Sequence, residues 1–221
     1  MFAAVRHTDD FLHARGAFAP NFAAARPAWW LPAIILACTP MYGALMGSYQ
    51  LDEPERLLQV VYSAVKAPML LGVTTLLCLP GFFVLNTVLG LRDDFRDAMQ
   101  AILAGQAGLA ITLASLGPFT RFWYFTTEDY RAALLFNAAM FTIATAAGQL
   151  VMLRYYRVLI RRNPRHLATL GLWMVLYAFV GIQMGWILRP FVGSPGMPVS
   201  FFREHALTNA YVVVAELFAG R

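Results

Sequence analysis

The side chains best placed to do chemistry are the carboxylates of Asp93-Asp94-Phe95-Arg96-Asp97, a DDxxD string at the start of a helical pattern. Carboxylates four apart share a helix face, and three together suit a Mg²⁺ that holds a diphosphate. Such a site needs a second acidic cluster on the same membrane face. The only other acidic pair between apolar spans, Glu128-Asp129, falls on the opposite face. Arg92 and Arg96 stand close enough to neutralise the string, and the helix macrodipole favours acids at a helix start on its own. Asp93, Asp94 and Asp97 are therefore weak metal candidates, and no metal or other cofactor is expected.

The remaining chemistry thins out quickly. His7, His13, His166 and His205 lie outside the apolar stretches or at their ends. There is no HExxH, no GxS inside a span and no aspartate within one. Intramembrane proteolysis and haem ligation by paired core histidines lack their ligands. The chain reads as a non-enzyme. Ionisable residues inside a bilayer usually mark pathways; here Glu216 and Arg189 qualify, both near span ends where long side chains snorkel. The buried polar set is otherwise amides (Asn86, Gln106, Asn137, Gln149, Gln183 and Asn209), which read as interhelical glue ahead of a substrate path.

The elements that carry these residues are membrane helices. Of 221 residues, 59% are hydrophobic and 13% charged, and the mean hydropathy is +0.58. Soluble domains carry roughly a quarter charged residues. The net charge of +5 comes with 17 basic residues, five of them between two apolar spans. That placement points to membrane topology and excludes nucleic acid as the partner. Cys38 and Cys78 sit deep in apolar runs and read as small hydrophobes, with a disulfide between them left open.

The expected architecture is an all-α integral membrane bundle of five to six transmembrane helices with short loops. Residues 1–27 form a cytoplasmic N-terminal leader, with a short surface helix around Asp9–Ala17, and no secretory signal is expected. Residues 28–221 form one bundle, with spans at about 29–49, 68–89, 98–116, 132–153, 167–188 and a short 206–219. A helix of about 20 residues crosses the ~30 Å hydrocarbon layer. The acidic Asp52–Glu55 opens an interfacial helix that ends at Lys66-Ala-Pro68, before the second span. Pro80-Gly81 interrupts that span and predicts a kink. Gly117-Pro118 ends the third span, and residues 121–125 form an aromatic belt.

Small residues fix which faces pack. Gly105 and Gly108, among alanines, place the third span at the centre of the bundle. Gly181 and Gly185, flanking Gln183, form a second close-packing face. Both sets are candidate surfaces for other membrane subunits or a second copy, and an internal contact satisfies the Gly181/Gly185 spacing equally well. Arg154, Arg157, Arg161, Arg162 and Arg165 follow the fourth span. They place both termini in the cytoplasm by the positive-inside rule and suit anionic lipid headgroups. The outer loop that follows, with Arg189, Pro190, Phe191, Phe201 and Phe202, is too apolar to stand in water alone. Arg189 is expected to pair with Glu204 across it.

The run from Lys66-Ala-Pro68 through the fourth span, with Leu79-Pro80-Gly81, Leu89-Gly90 and Leu116-Gly117-Pro118, resembles the Yip1-like bacterial membrane domain. The resemblance covers about half the chain and implies a five-helix membrane organiser without catalysis. It transfers no site residues. The reading that follows is a multi-pass protein of the bacterial inner membrane. Its expected role is a non-enzymatic scaffold or accessory subunit that packs against other membrane proteins or lipids. The alternative is a small transporter or lipid-handling protein whose path runs by the Pro80-Gly81 kink.

Overall fold

The structure, a computed structural model, describes Asp10 and residues 30–51, 56–194 and 197–203. Five helices are long and apolar enough to cross a membrane: α1 (Trp30–Gly47), α2 (Leu57–Val88), α3 (Phe95–Thr126), α4 (Tyr130–Arg162) and α5 (His166–Ile187). A short 3-10 turn, Arg92–Asp94, leads into α3. No strand occurs among the described residues. Apart from Asp10, the leader lies outside them, as does the candidate sixth span, 206–219.

Two expected boundaries move. α2 has no break at Pro68; it runs unbroken from Leu57 and absorbs the separate interfacial helix. α3 likewise passes through Gly117-Pro118 and ends at Thr126, so the aromatic belt is its last turns. Proline interrupts a membrane helix far less than its loss of one N–H suggests, because neighbouring helices and local adjustments re-satisfy the freed groups. At 1.5 Å per residue, the 32 residues of α2 reach about 48 Å. That length carries the helix past the ~30 Å hydrocarbon layer or tilts it.

The ends are set by local chemistry. α2 stops where Gly90 adopts φ 72°. The Gly90 N–H returns to the Thr87 carbonyl (3.1 Å) and the Leu91 N–H to that of Asn86 (2.7 Å), a Schellman stop with Leu91 buried behind it. α4 starts with Asp129 as N-cap, its carboxylate accepting from the Arg131 N–H at 2.9 Å.

The expected central span is α3. In its most apolar stretch 56% of residues are buried, against 33% or fewer in every other helix. Glycines explain the close approaches. A Cβ on Gly105 would stand 2.7 Å from the Met152 Cβ, and one on Gly148 would stand 2.7 Å from the Gly105 carbonyl oxygen. A Cβ on Gly108 would meet the Val151 Cγ2 at 2.9 Å. Gly105 and Gly108 are therefore used up inside the chain, which corrects their reading as partner-packing positions. A second crossing, of α1 on α2, rests on Gly43 and Gly47, whose added Cβ atoms would meet Ala67 at 2.9 Å and Val60 at 2.8 Å. Gly117 in turn lies against Leu45.

Contacts among helices are uneven. α1 packs along both α2 and α3, α4 along α3, and α5 along α2. α4 and α5 barely touch. The bundle is thus a ring left open at one seam.

Candidate functional site

The open seam is a groove. Its deep compartment, about 270 Å³, is walled by α2, α3, α4 and α5, with Thr74, Gln106, Gln149 and Tyr177 as its polar members. A second compartment of about 680 Å³ continues towards the loop that follows α5 and ends among Arg189, Pro190, Phe191 and Arg203. Leu70, Phe141 and Ile182 wall both. The groove opens sideways, between the apolar lengths of α4 and α5: Ile182 is 58% exposed and Leu134 41%.

The deep end holds several of the amides expected to act as glue, and only some do. The Tyr177 hydroxyl donates to Gln106 Oε1 at 3.2 Å, joining α5 to α3. Thr74 Oγ1 and Gln149 Oε1 are buried without a hydrogen-bond partner. Asn137 is glue in full. It accepts from the Tyr42 hydroxyl at 3.0 Å, and its amide donates to the Tyr124 hydroxyl (2.6 Å) and the Ala133 carbonyl (2.8 Å). Asn86 turns back onto its own helix, donating to the Phe82 carbonyl. Asn209 lies outside the described residues.

The outer end is built by the loop after α5. The Arg189–Pro190 peptide is cis, and the Pro190 and Phe191 carbonyls point at the first turns of α2. Lys66 Nζ donates to the Pro190 carbonyl at 2.8 Å. Gln59 Nε2 donates to the Pro190 and Phe191 carbonyls at 3.3 and 3.2 Å, and Ser63 Oγ to that of Phe191. From α4, the Tyr130 hydroxyl donates to the Val192 carbonyl at 3.3 Å and accepts from Ser194 Oγ at 2.9 Å. The loop is pinned between helices, as its apolar composition requires.

Lys66 is the chain's one lysine and is wholly buried. Besides the Pro190 carbonyl it faces the Phe201 ring, 4.9 Å from the centroid, and Phe201 in turn meets Tyr62 edge-on. From sequence Lys66 reads as a helix boundary; the structure places it about two and a half turns inside α2. Phe202 points outward, 49% exposed.

Arg189 lies over the Trp186 ring, its guanidinium carbon 3.3 Å from the centroid, and its Nε is buried with no hydrogen-bond partner. Burial, and then the like charge of Arg203, push the Arg189 pKa below its ordinary value. Arg203 donates to Ser194 Oγ. Among the described residues neither arginine has a carboxylate partner. Glu204, the expected partner of Arg189, lies outside them.

The opposite face gathers the acidic string and the arginine run. Arg162 sits 3.5 Å from Asp94 and 3.2 Å from Asp97, and the buried His166 places Nε2 3.1 Å from Asp94. Arg165 reaches the Leu89 carbonyl. Among the described residues the cation in contact with Asp94 and Asp97 is Arg162, and Arg96 adds its charge to the field at Asp97, as the local spacing suggested. Among the described residues no group of three or more His, Cys, Asp or Glu is placed to hold a metal, so Asp93, Asp94 and Asp97 do not converge as a ligand set. Arg157 and Arg161 remain exposed.

Gly181 and Gly185 take different roles. Gly181 backs onto Thr74 of α2, and Gly185 lines the groove with open space where a Cβ would stand. Gln183, between them, is half-buried. Pro80 and Gly81 are exposed on the outside of α2, which runs unbroken through them, and they wall neither compartment.

Fold and site together define an all-α, multi-pass membrane protein with a side-opening groove. No known protein family, curated protein or solved structure matches the chain.

Proposed function

We propose that this is a lipid-handling membrane protein, without catalytic chemistry, that holds a lipid chain in the groove between α4 and α5. The observation that carries the reading is the seam itself: two helices long and apolar enough to cross a membrane leave an apolar channel open along their sides. A soluble ligand would have to cross the hydrocarbon layer to enter it, whereas a lipid reaches it by lateral diffusion. The test is native mass spectrometry after mild extraction, comparing the wild type with Ala138→Trp, which fills the groove wall. The wild type is expected to carry adducts of lipid mass and the tryptophan variant to lose them. A wild type free of such adducts at every detergent concentration would count against the reading.

A second reading, a scaffold or accessory subunit, is favoured by α5, where only 17% of the most apolar stretch is buried and Gly171 has nothing within 4 Å of an added Cβ. A partner helix fits such a face. The Yip1-like resemblance supports the same role. The same spectra separate the two, since a subunit adds the mass of a protein. On either reading we place the protein in a bacterial inner membrane, with the arginine-rich end of α4 and the N-terminus in the cytoplasm and Arg157 and Arg161 at anionic headgroups.

A further inference from the structure

We infer that the occupant of the groove is an anionic glycerophospholipid, with one acyl chain between α4 and α5 and its phosphate between Arg189 and Arg203. The inference rests on the lipid-handling reading and adds headgroup charge and orientation to it.

Three features of the groove carry it. First, its polarity is one-sided: both compartments are walled mainly by apolar side chains, and among the described residues no carboxylate lines either and the charged residues at the outer end are Arg189 and Arg203. Second, those guanidiniums face the same space, with Arg189 Nε unpartnered in a buried position. Two like charges at one end of an apolar channel repel each other until an anion lies between them, and guanidinium forks match phosphate oxygens well. Third, the dimensions suit a chain. From Tyr177 to its end at Ile187, just before Arg189, α5 rises by about 15 Å, a length on the scale of half a bilayer. The side opening past Ile182 and Leu134 lets a second acyl chain stay in the surrounding membrane, which a two-chain lipid needs.

The test offers the purified protein an equimolar mixture of dioleoyl phosphatidylglycerol and dioleoyl phosphatidylcholine and counts bound lipid by native mass spectrometry. The wild type is expected to hold the anionic lipid in preference by on the order of tenfold. Arg189→Gln with Arg203→Gln brings the ratio towards one, and Arg131→Gln, on the same face but away from the groove, leaves it unchanged. Should the double variant not fold, the wild type still decides: its preference must fall when salt is raised from about 0.05 M to about 0.5 M. Equal binding of the two lipids by the wild type, or a preference that survives both arginine changes, overturns the headgroup assignment while the groove reading stands. Binding of both lipids unaltered in Ala138→Trp overturns the groove reading as well.

Discussion

At the scale of single residues, the buried polar atoms separate into those that bind the bundle together and those left facing the groove. Asn137 belongs to the first kind, tying tyrosines from α1 and α3 to α4. Asn137→Ala takes one hydrogen bond from each of Tyr42 and Tyr124, which keep Thr120 and the Met46 carbonyl as partners, and each lost bond costs about 0.5–1.5 kcal/mol net. The expected result is a clear drop in the thermal midpoint in detergent. Thr142→Ala, exposed on the same helix, should stay within error. The ion pairs of Arg162 predict less. With Arg162 46% exposed, Arg162→Gln should cost no more than about 1 kcal/mol, as is usual for pairs at a wet surface. Asn137 was readable from sequence as a polar residue in an apolar run, but its partners were not. They come from positions 42 and 124, and only the packing of three helices brings those rings together.

At the scale of helices, glycine spacing states that a close crossing exists without naming the partner. Gly105 and Gly108 marked α3 correctly as central, yet their partner is α4 of the same chain. Gly43 and Gly47 have the same four-residue spacing as Gly181 and Gly185. The structure makes the first pair the tighter crossing. Gly148→Leu should therefore force α3 and α4 apart, costing at least about 1–3 kcal/mol and lowering the yield of folded monodisperse protein. Gly171→Ala, in open space within α5, should do the reverse and raise stability by about 0.5–1 kcal/mol, because alanine is the better helix former. Equal losses from both changes would show that the crossing is not what holds α3 to α4. Helix ends were harder to read than helix existence. Prolines at 68 and 118 look like stops by the rules of soluble helices, and here they lie inside 32-residue helices.

At the scale of the whole molecule, the five apolar helices were legible from composition and span length alone. The groove was not, because it is set by which helices fail to meet, and that depends on the order of packing around α3. The two faces also differ in character. One gathers Asp94, Asp97, Arg162 and His166; the other holds the pinned loop with Lys66, Arg189 and Arg203. On the proposed orientation, in a background with both cysteines replaced, Arg131→Cys should react with a membrane-impermeant maleimide on intact cells. Arg161→Cys should react only after lysis, and the opposite pattern would invert the assignment. Lys66 also makes the side chains of the bundle nearly invisible to a common class of reagents. Its only side-chain amine is sealed under the Pro190 carbonyl and the Phe201 ring, so amine-directed crosslinkers and dyes should pass over the folded bundle. Acylation of Lys66 would then serve as a chemical clock for the loop lifting away from α2, with no engineered label required.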